Sequence, residues 1–150
     1  MEFAWNRGHL WNADNSCLTA IYTSMDRSFL FVGIGGFIGS ILRHYVGLLL
    51  PRIFLISFPY ATLSINVTGC LLIGLAYGVF QKYDWLTDTW WLFFAVGICG
   101  GFTTFSAFSL EGLMFFEQGK YLQLFVYMCL SVILCFGATL LGIVTIKTLF

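Results

Sequence analysis

The chain has 150 residues, 59% of them hydrophobic and only 9% charged, and its formal net charge is zero. A soluble domain carries roughly a quarter charged residues, so this composition excludes one and points to an integral membrane protein. With no basic run to hold nucleic acid or an anionic lipid surface, the partners left are small solutes, membrane lipid and other copies of the chain.

Residues 1–28 are mixed and polar, with Asn6, Arg7, Asn12, Asp14, Asn15 and Asp26. They lack the basic start, short apolar core and small-residue cleavage site of a signal peptide, and read as a disordered or interfacial arm. Met25, just ahead of the first apolar run, is an alternative start that would make residues 1–24 dispensable.

Residues 29–150 read as one membrane domain of four spans. Phe29–Leu50, the first, is long enough at about 1.5 Å per residue to cross a hydrocarbon core of roughly 30 Å. Gly35 and Gly39, and Gly36 and Ser40 one residue on, have the small-xxx-small spacing that lets two helix backbones approach closely. They are not a dinucleotide fingerprint, because after Gly33 and Gly35 position 38 is isoleucine and no strand precedes them. Arg43, in the last third, has two readings: a side chain snorkelling to the headgroups, or the cation of an electropositive vestibule for an anion. Pro51, Arg52 and Pro59 mark the first connection.

Tyr60–Phe80 is the second span. Asn66 lies inside it with Thr62 four residues earlier on the same helical face, either to bridge helices or to line a hydrated path. Gly74 and Gly78 repeat the close-packing spacing. Gln81–Asp88 connects to the third span, Thr89–Phe116, which is longer than a straight crossing needs.

Within that third span, Gly97–Glu111 reads GICGGFTTFSAFSLE and is unusually polar for its setting. Unsatisfied polar groups in hydrocarbon are costly, so this stretch should face protein or a hydrated path. Its glycines, followed by Thr103 and Thr104, predict an unwound centre between two half-helices, with a simple kink as the plainer alternative. Phe105 and Phe108 at i and i+3, beside Ser106 and Ser109, put aromatic edges next to hydroxyls; an isolated pair of this kind reads as core packing, although positive ring edges also suit a small hard anion and several weak sites suit conduction. Glu117–Tyr121 leads into the fourth span, Leu122–Phe150, where Tyr127, Ser131 and Cys135 step by four along one face.

The five cysteines, Cys17, Cys70, Cys99, Cys129 and Cys135, form no CxxC pair and have no metal-site spacing with His9 or His44, so they read as small hydrophobes. Four spans place Arg7, Arg27, Lys82 and Lys147 on one side and Arg52 and Lys120 on the other. A bias so slight barely specifies orientation, which predicts insertion both ways and an antiparallel pair of identical subunits.

Three blocks, GGFIGSILR at Gly35–Arg43, ATLSINVTG at Ala61–Gly69 and GICGGFTTFSAFSLE at Gly97–Glu111, resemble in order and spacing the small fluoride channels called Fluc or CrcB. The likeness runs from about Gly33 to the end and leaves the arm outside. It implies an all-α, dual-topology antiparallel homodimer in the cell membrane, with the third helix broken and two pores lined by both subunits. It further implies passive exit of fluoride accumulated in the cytoplasm, and hence fluoride resistance. By the same resemblance Asn66 is a pore amide, and Phe105 and Phe108 contact fluoride. Arg43 stands near the entrance, Glu111 is a family carboxylate, and Tyr127 and Ser131 belong to a polar track with Thr62 and Ser109 beside it. Backbone carbonyls near Gly100 and Thr103 would hold a structural sodium ion at the dimer centre. Cys135 stands where a hydroxyl is expected, and Ser64 and Ile65 where small alanines are common.

The rival reading is a small proton-coupled multidrug-type exporter, which needs a titratable carboxylate within a span; Glu111 is the candidate. A purely structural subunit leaves the polar centre unexplained. No nucleophile–base pair, phosphate loop or metal cluster in the sequence supports an enzyme.

Overall fold

The computed structural model describes residues 15–53, 58–83 and 88–149, with side chains from residue 27 onward except those of 51–53. The elements are α1 (Asn15–Ile53), α2 (Tyr60–Lys82), α3 (Asp88–Trp91), a π-helical segment (Leu92–Cys99), α4 (Gly100–Phe102), α5 (Phe105–Glu117) and α6 (Tyr121–Leu149). Four stretches are long and apolar enough to cross a membrane: Arg27–Leu50, Tyr60–Lys82, Asp88–Glu117 and Tyr121–Leu149. This is an all-helical, multi-pass membrane architecture, in which helices satisfy their backbone polar groups internally where lipid offers no partner.

α1 begins at Asn15 and so extends into the segment read as an arm. Residues 1–14 of that arm lie outside the described residues, as do 54–57 of the first connection and 84–87 of the second. The side chain of Arg52 does too.

Small residues bring the helices together. A Cβ at Gly35 would lie 2.5 Å from the Phe93 carbonyl oxygen, one at Gly97 2.9 Å from Gly35 Cα, and one at Gly101 2.6 Å from the Gly36 carbonyl oxygen. At Gly39 it would collide with the Ile98 carbonyl and come within 2.8 Å of the Phe102 nitrogen. α1 therefore lies backbone to backbone on the π segment and α4. The same device joins α2 to α6, where a Cβ at Gly74 would strike the Thr139 carbonyl and one at Gly142 would sit 2.6 Å from the Leu71 carbonyl oxygen. Without a hydrophobic driving force between helices in lipid, such close backbone approach supplies the contact.

The third span is broken near its centre, within the expected stretch, at the two threonines that follow the glycines. Gly97, Gly100 and Gly101 remain helical, and the chain becomes extended only at Thr103 (φ −77°, ψ 158°) and Thr104 (φ −149°, ψ 110°). Here the glycines serve packing against α1, and the threonines carry the break. α5 then runs to a tight turn closed by Gly119, whose φ of +69° is a conformation glycine adopts without steric cost. Gly119 N donates to Phe116 O (3.0 Å) and Lys120 N to Phe115 O (2.9 Å), covering carbonyls that the helix end leaves open before α6 begins.

The interior of this single chain is small. Leu63, Phe115 and Tyr127 are buried together, with Phe58, Val67, Phe108 and Leu124 packed on them. Phe29, Phe37 and Ile41 on α1, and Leu122, Phe125, Ile133 and Phe136 on α6, point outward and exposed. A surface this apolar suits lipid or another subunit, not water. Near one end Phe31 packs edge-to-face on Trp90 and Phe93, with Trp91 beside Tyr77 and Phe80, a placement typical of interfacial aromatics.

Candidate functional site

The break at Thr103–Thr104 organises the site. An extended residue between helices leaves its N–H and C=O without helical partners, and Asn66 of α2 takes both. Its Oδ1 accepts from Thr104 N at 2.8 Å and its Nδ2 donates to Thr104 O at 3.2 Å. The Thr104 hydroxyl meanwhile accepts from Ala107 N at 3.2 Å, capping α5, and lies 3.2 Å from Ser106 Oγ. Thr103 turns back, its N–H and hydroxyl both donating to Cys99 O at 2.9 and 3.0 Å. Asn66 is thus a strut for the break, bound to it on both sides.

Holding Thr104 this way has a consequence for Gly100. The Thr104 N–H would serve the Gly100 carbonyl in a continuous helix, and it is given to Asn66 instead. The Gly100 carbonyl is left to seek another partner at mid-span, and the extended Thr103 lies just beyond it. Backbone oxygens released by a helix break are the donor set that suits a hard cation such as sodium.

A second cluster surrounds Glu111. Thr62 Oγ1 donates to its Oε1 at 2.6 Å and the Tyr127 hydroxyl donates to its Oε2 at 2.7 Å, so three spans meet on one carboxylate. Tyr127 is fully buried. Its ring stands 5.0 Å from that of Phe108, centroid to centroid, and Phe108 lies 5.5 Å from Phe105. The result is a file of Phe105, Phe108 and Tyr127 ending at the Glu111 clasp.

Two cavities border Thr104. The smaller, about 300 Å³, is lined by Asn66, Thr103, Phe105, Phe108, Ser131 and Cys135 among others, and none of its lining side chains is charged. Ser131 Oγ is buried there without a hydrogen-bond partner, although such groups are nearly always paired. The larger, about 680 Å³, is lined by Ser40, Arg43, His44, Thr62, Thr104 and Ser106 with neighbouring apolar residues. Glu111 opens on a third, of about 360 Å³, beside Lys120.

Of the residues singled out from sequence, Asn66, Phe105, Phe108 and Ser131 come together at the smaller cavity, and Thr62, Glu111 and Tyr127 form the clasp. Arg43 is half-buried in the wall of the larger cavity. Ser109 does not join them: it is exposed and lines none of these cavities, because one step past Phe108 on α5 turns it outward. Ser106 takes the position beside Thr104 instead. Sequence reasoning also passed over Ser40, His44 and Gly47, although with Arg43 they fall at i, i+3, i+4 and i+7 on one face of α1, a readable signal.

A family model described as CrcB-like protein, Camphor Resistance (CrcB), matches residues 30–143. The chain belongs to the CrcB-like family. It is 43% identical over 118 residues to a protein of Azobacteroides pseudotrichonymphae named fluoride-specific ion channel FluC, covering 79% of this chain and 94% of that one. A FluC of Flavobacterium psychrophilum is 38% identical over 123 residues, covering 82% and 99%. One of Granulibacter bethesdensis is 44% identical over 122 residues, covering 81% and 96%. These family members match this chain over nearly their whole length, and the residues of the break, the clasp and both cavities fall inside the matched region.

Proposed function

We propose that this chain is a fluoride-selective channel through which the ion leaves the cell passively, conferring resistance to fluoride. The observation that carries the reading is the buried, unpartnered Ser131 hydroxyl in a cavity walled by Phe105, Phe108 and Asn66, with no charged side chain in its lining. A hydroxyl proton and positive ring edges favour a small anion without the fixed cation that would hold it too firmly to conduct. The relatives' name supports the choice of fluoride. Arg43 in the larger cavity draws the anion in, and the Glu111 clasp with Thr62 and Tyr127 borders its way out. Thr62 and Tyr127 both donate to Glu111, which favours a structural carboxylate over the proton carrier an exporter needs.

The working unit in this reading is an antiparallel homodimer with two pores. Phe105 is 79% exposed in the single chain although it belongs to the site, which supports a partner subunit closing the pore over it. Where two copies of the break meet, the backbone carbonyls of Gly100 and Thr103 would hold one structural sodium ion, whose charge the carbonyl dipoles would offset. Fluoride efflux from proteoliposomes, followed with an ion-selective electrode, tests the function: uncoupled fluoride release is expected, and Phe108→Ile, which keeps bulk and removes the ring, should abolish it in an assembled protein. Drug exchange driven by a pH gradient with no fluoride release would establish the exporter instead.

A further inference from the structure

Cys135 departs from the hydroxyl expected at its place, and the α2–α6 crossing brings Cys70 to it. Both line the smaller cavity, and both carry free thiols. The hydroxyl of Thr139 donates to the carbonyls of Cys70 and Cys135 alike, at 3.1 Å each, so one side chain ties the two cysteine backbones together. Close approach at Gly74 and Gly142, just beyond Thr139, keeps the two helices tightly crossed there.

We propose that Cys70 and Cys135 form a two-thiol site for a soft monovalent metal ion, Ag(I) or Cu(I), in the wall of the smaller cavity. Thiolate sulfur selects soft ions. Zinc is disfavoured because it asks for four ligands, and among the described residues no group of three His, Cys, Asp or Glu side chains is placed to hold a metal. A linear two-coordinate ion needs only the two sulfurs. Binding releases one proton from each thiol to water and forms two S–Ag bonds with no change of oxidation state; the product carries one negative charge. That charge and the metal's bulk stand beside Asn66, Phe108 and Ser131, so loading the site stops an anion passing there. The block, unlike the site itself, rests on the proposed fluoride conduction.

The test uses the intact chain in chloride-free buffer with silver nitrate. N-ethylmaleimide labelling read by peptide mass spectrometry should find Cys70 and Cys135 reactive without silver and both protected with it, while Cys129 labels equally in each case. Cys135→Ser should lose protection at Cys70, and Cys70→Ser should lose it at Cys135, since one sulfur does not suffice. Protection of one cysteine that survives removal of the other overturns the site, as does a pair that silver leaves fully reactive or that never reacts. In proteoliposomes silver should stop fluoride release by the wild-type protein and spare the residual release of either serine variant. Protection without any fluoride release in the untreated protein would keep the metal site and refute the channel reading; protection with unblocked release would remove the inhibitory role.

Discussion

Replacing Asn66 by leucine asks how much the break depends on its strut. Leucine matches asparagine in size but leaves the Thr104 N–H and C=O, bonded to Asn66 at 2.8 and 3.2 Å, with nothing to replace it. Thr104 is only 8% exposed, and lipid supplies no water. Each orphaned group costs about 1–3 kcal/mol, so the loss is about 2–6 kcal/mol. At roughly 2–4 °C per kcal/mol for a chain of this size, the lower end already shifts the melting midpoint by about 4 °C. The assay is the fraction of protein recovered at its native elution volume after a temperature series in detergent. Ser64→Leu, at an exposed position two residues away on the same helix, controls for an added apolar side chain. A midpoint in Asn66→Leu no lower than in Ser64→Leu would refute the strut, and the remaining function of Asn66 would then be toward the ion alone.

Asn66→Asp keeps an acceptor for the Thr104 N–H but turns an oxygen toward the Thr104 carbonyl and places a negative charge beside the cavity; fluoride release from proteoliposomes should be lost, and unchanged release would place the ion path elsewhere. Gly39→Leu drives a side chain into the Ile98 carbonyl and should lower the melting midpoint by the equivalent of about 1–3 kcal/mol, whereas Gly33→Leu, with open space around it, should leave the midpoint where it is. Cysteine-accessibility labelling of a site introduced in the connection after α2 should find it on both faces of the membrane if the chain inserts in both orientations. Sodium withdrawal in a medium of matched ionic strength should reduce fluoride release if the Gly100 and Thr103 carbonyls hold that ion, and equal release in potassium would count against it.

Hydropathy alone marked the four spans, because a helix that crosses lipid must be apolar along its whole length; α2 begins at the expected Tyr60, and the third span was legible as too long to be straight. The pairing role of Gly35, Gly39 and Gly74 was legible for the same physical reason, since small residues at four-residue spacing allow helices to touch. Their partners were not legible, as spacing within one helix carries no information about which helix lies opposite. Within the expected stretch the break falls on Thr103 and Thr104 and spares the glycines because α1 packs on Gly97 and Gly101 and holds them helical, while Asn66, 38 residues away from Thr104 in the chain, draws off its N–H. Thr62 and Tyr127 close on Glu111 from separations of 49 and 16 residues, and Cys70 meets Cys135 only because α2 crosses α6 at Thr139. Composition and periodicity determine which segments enter the membrane and which face of each is polar. Which polar groups become partners is decided by how the helices cross, where a displacement of one turn would exchange every hydrogen bond in the site.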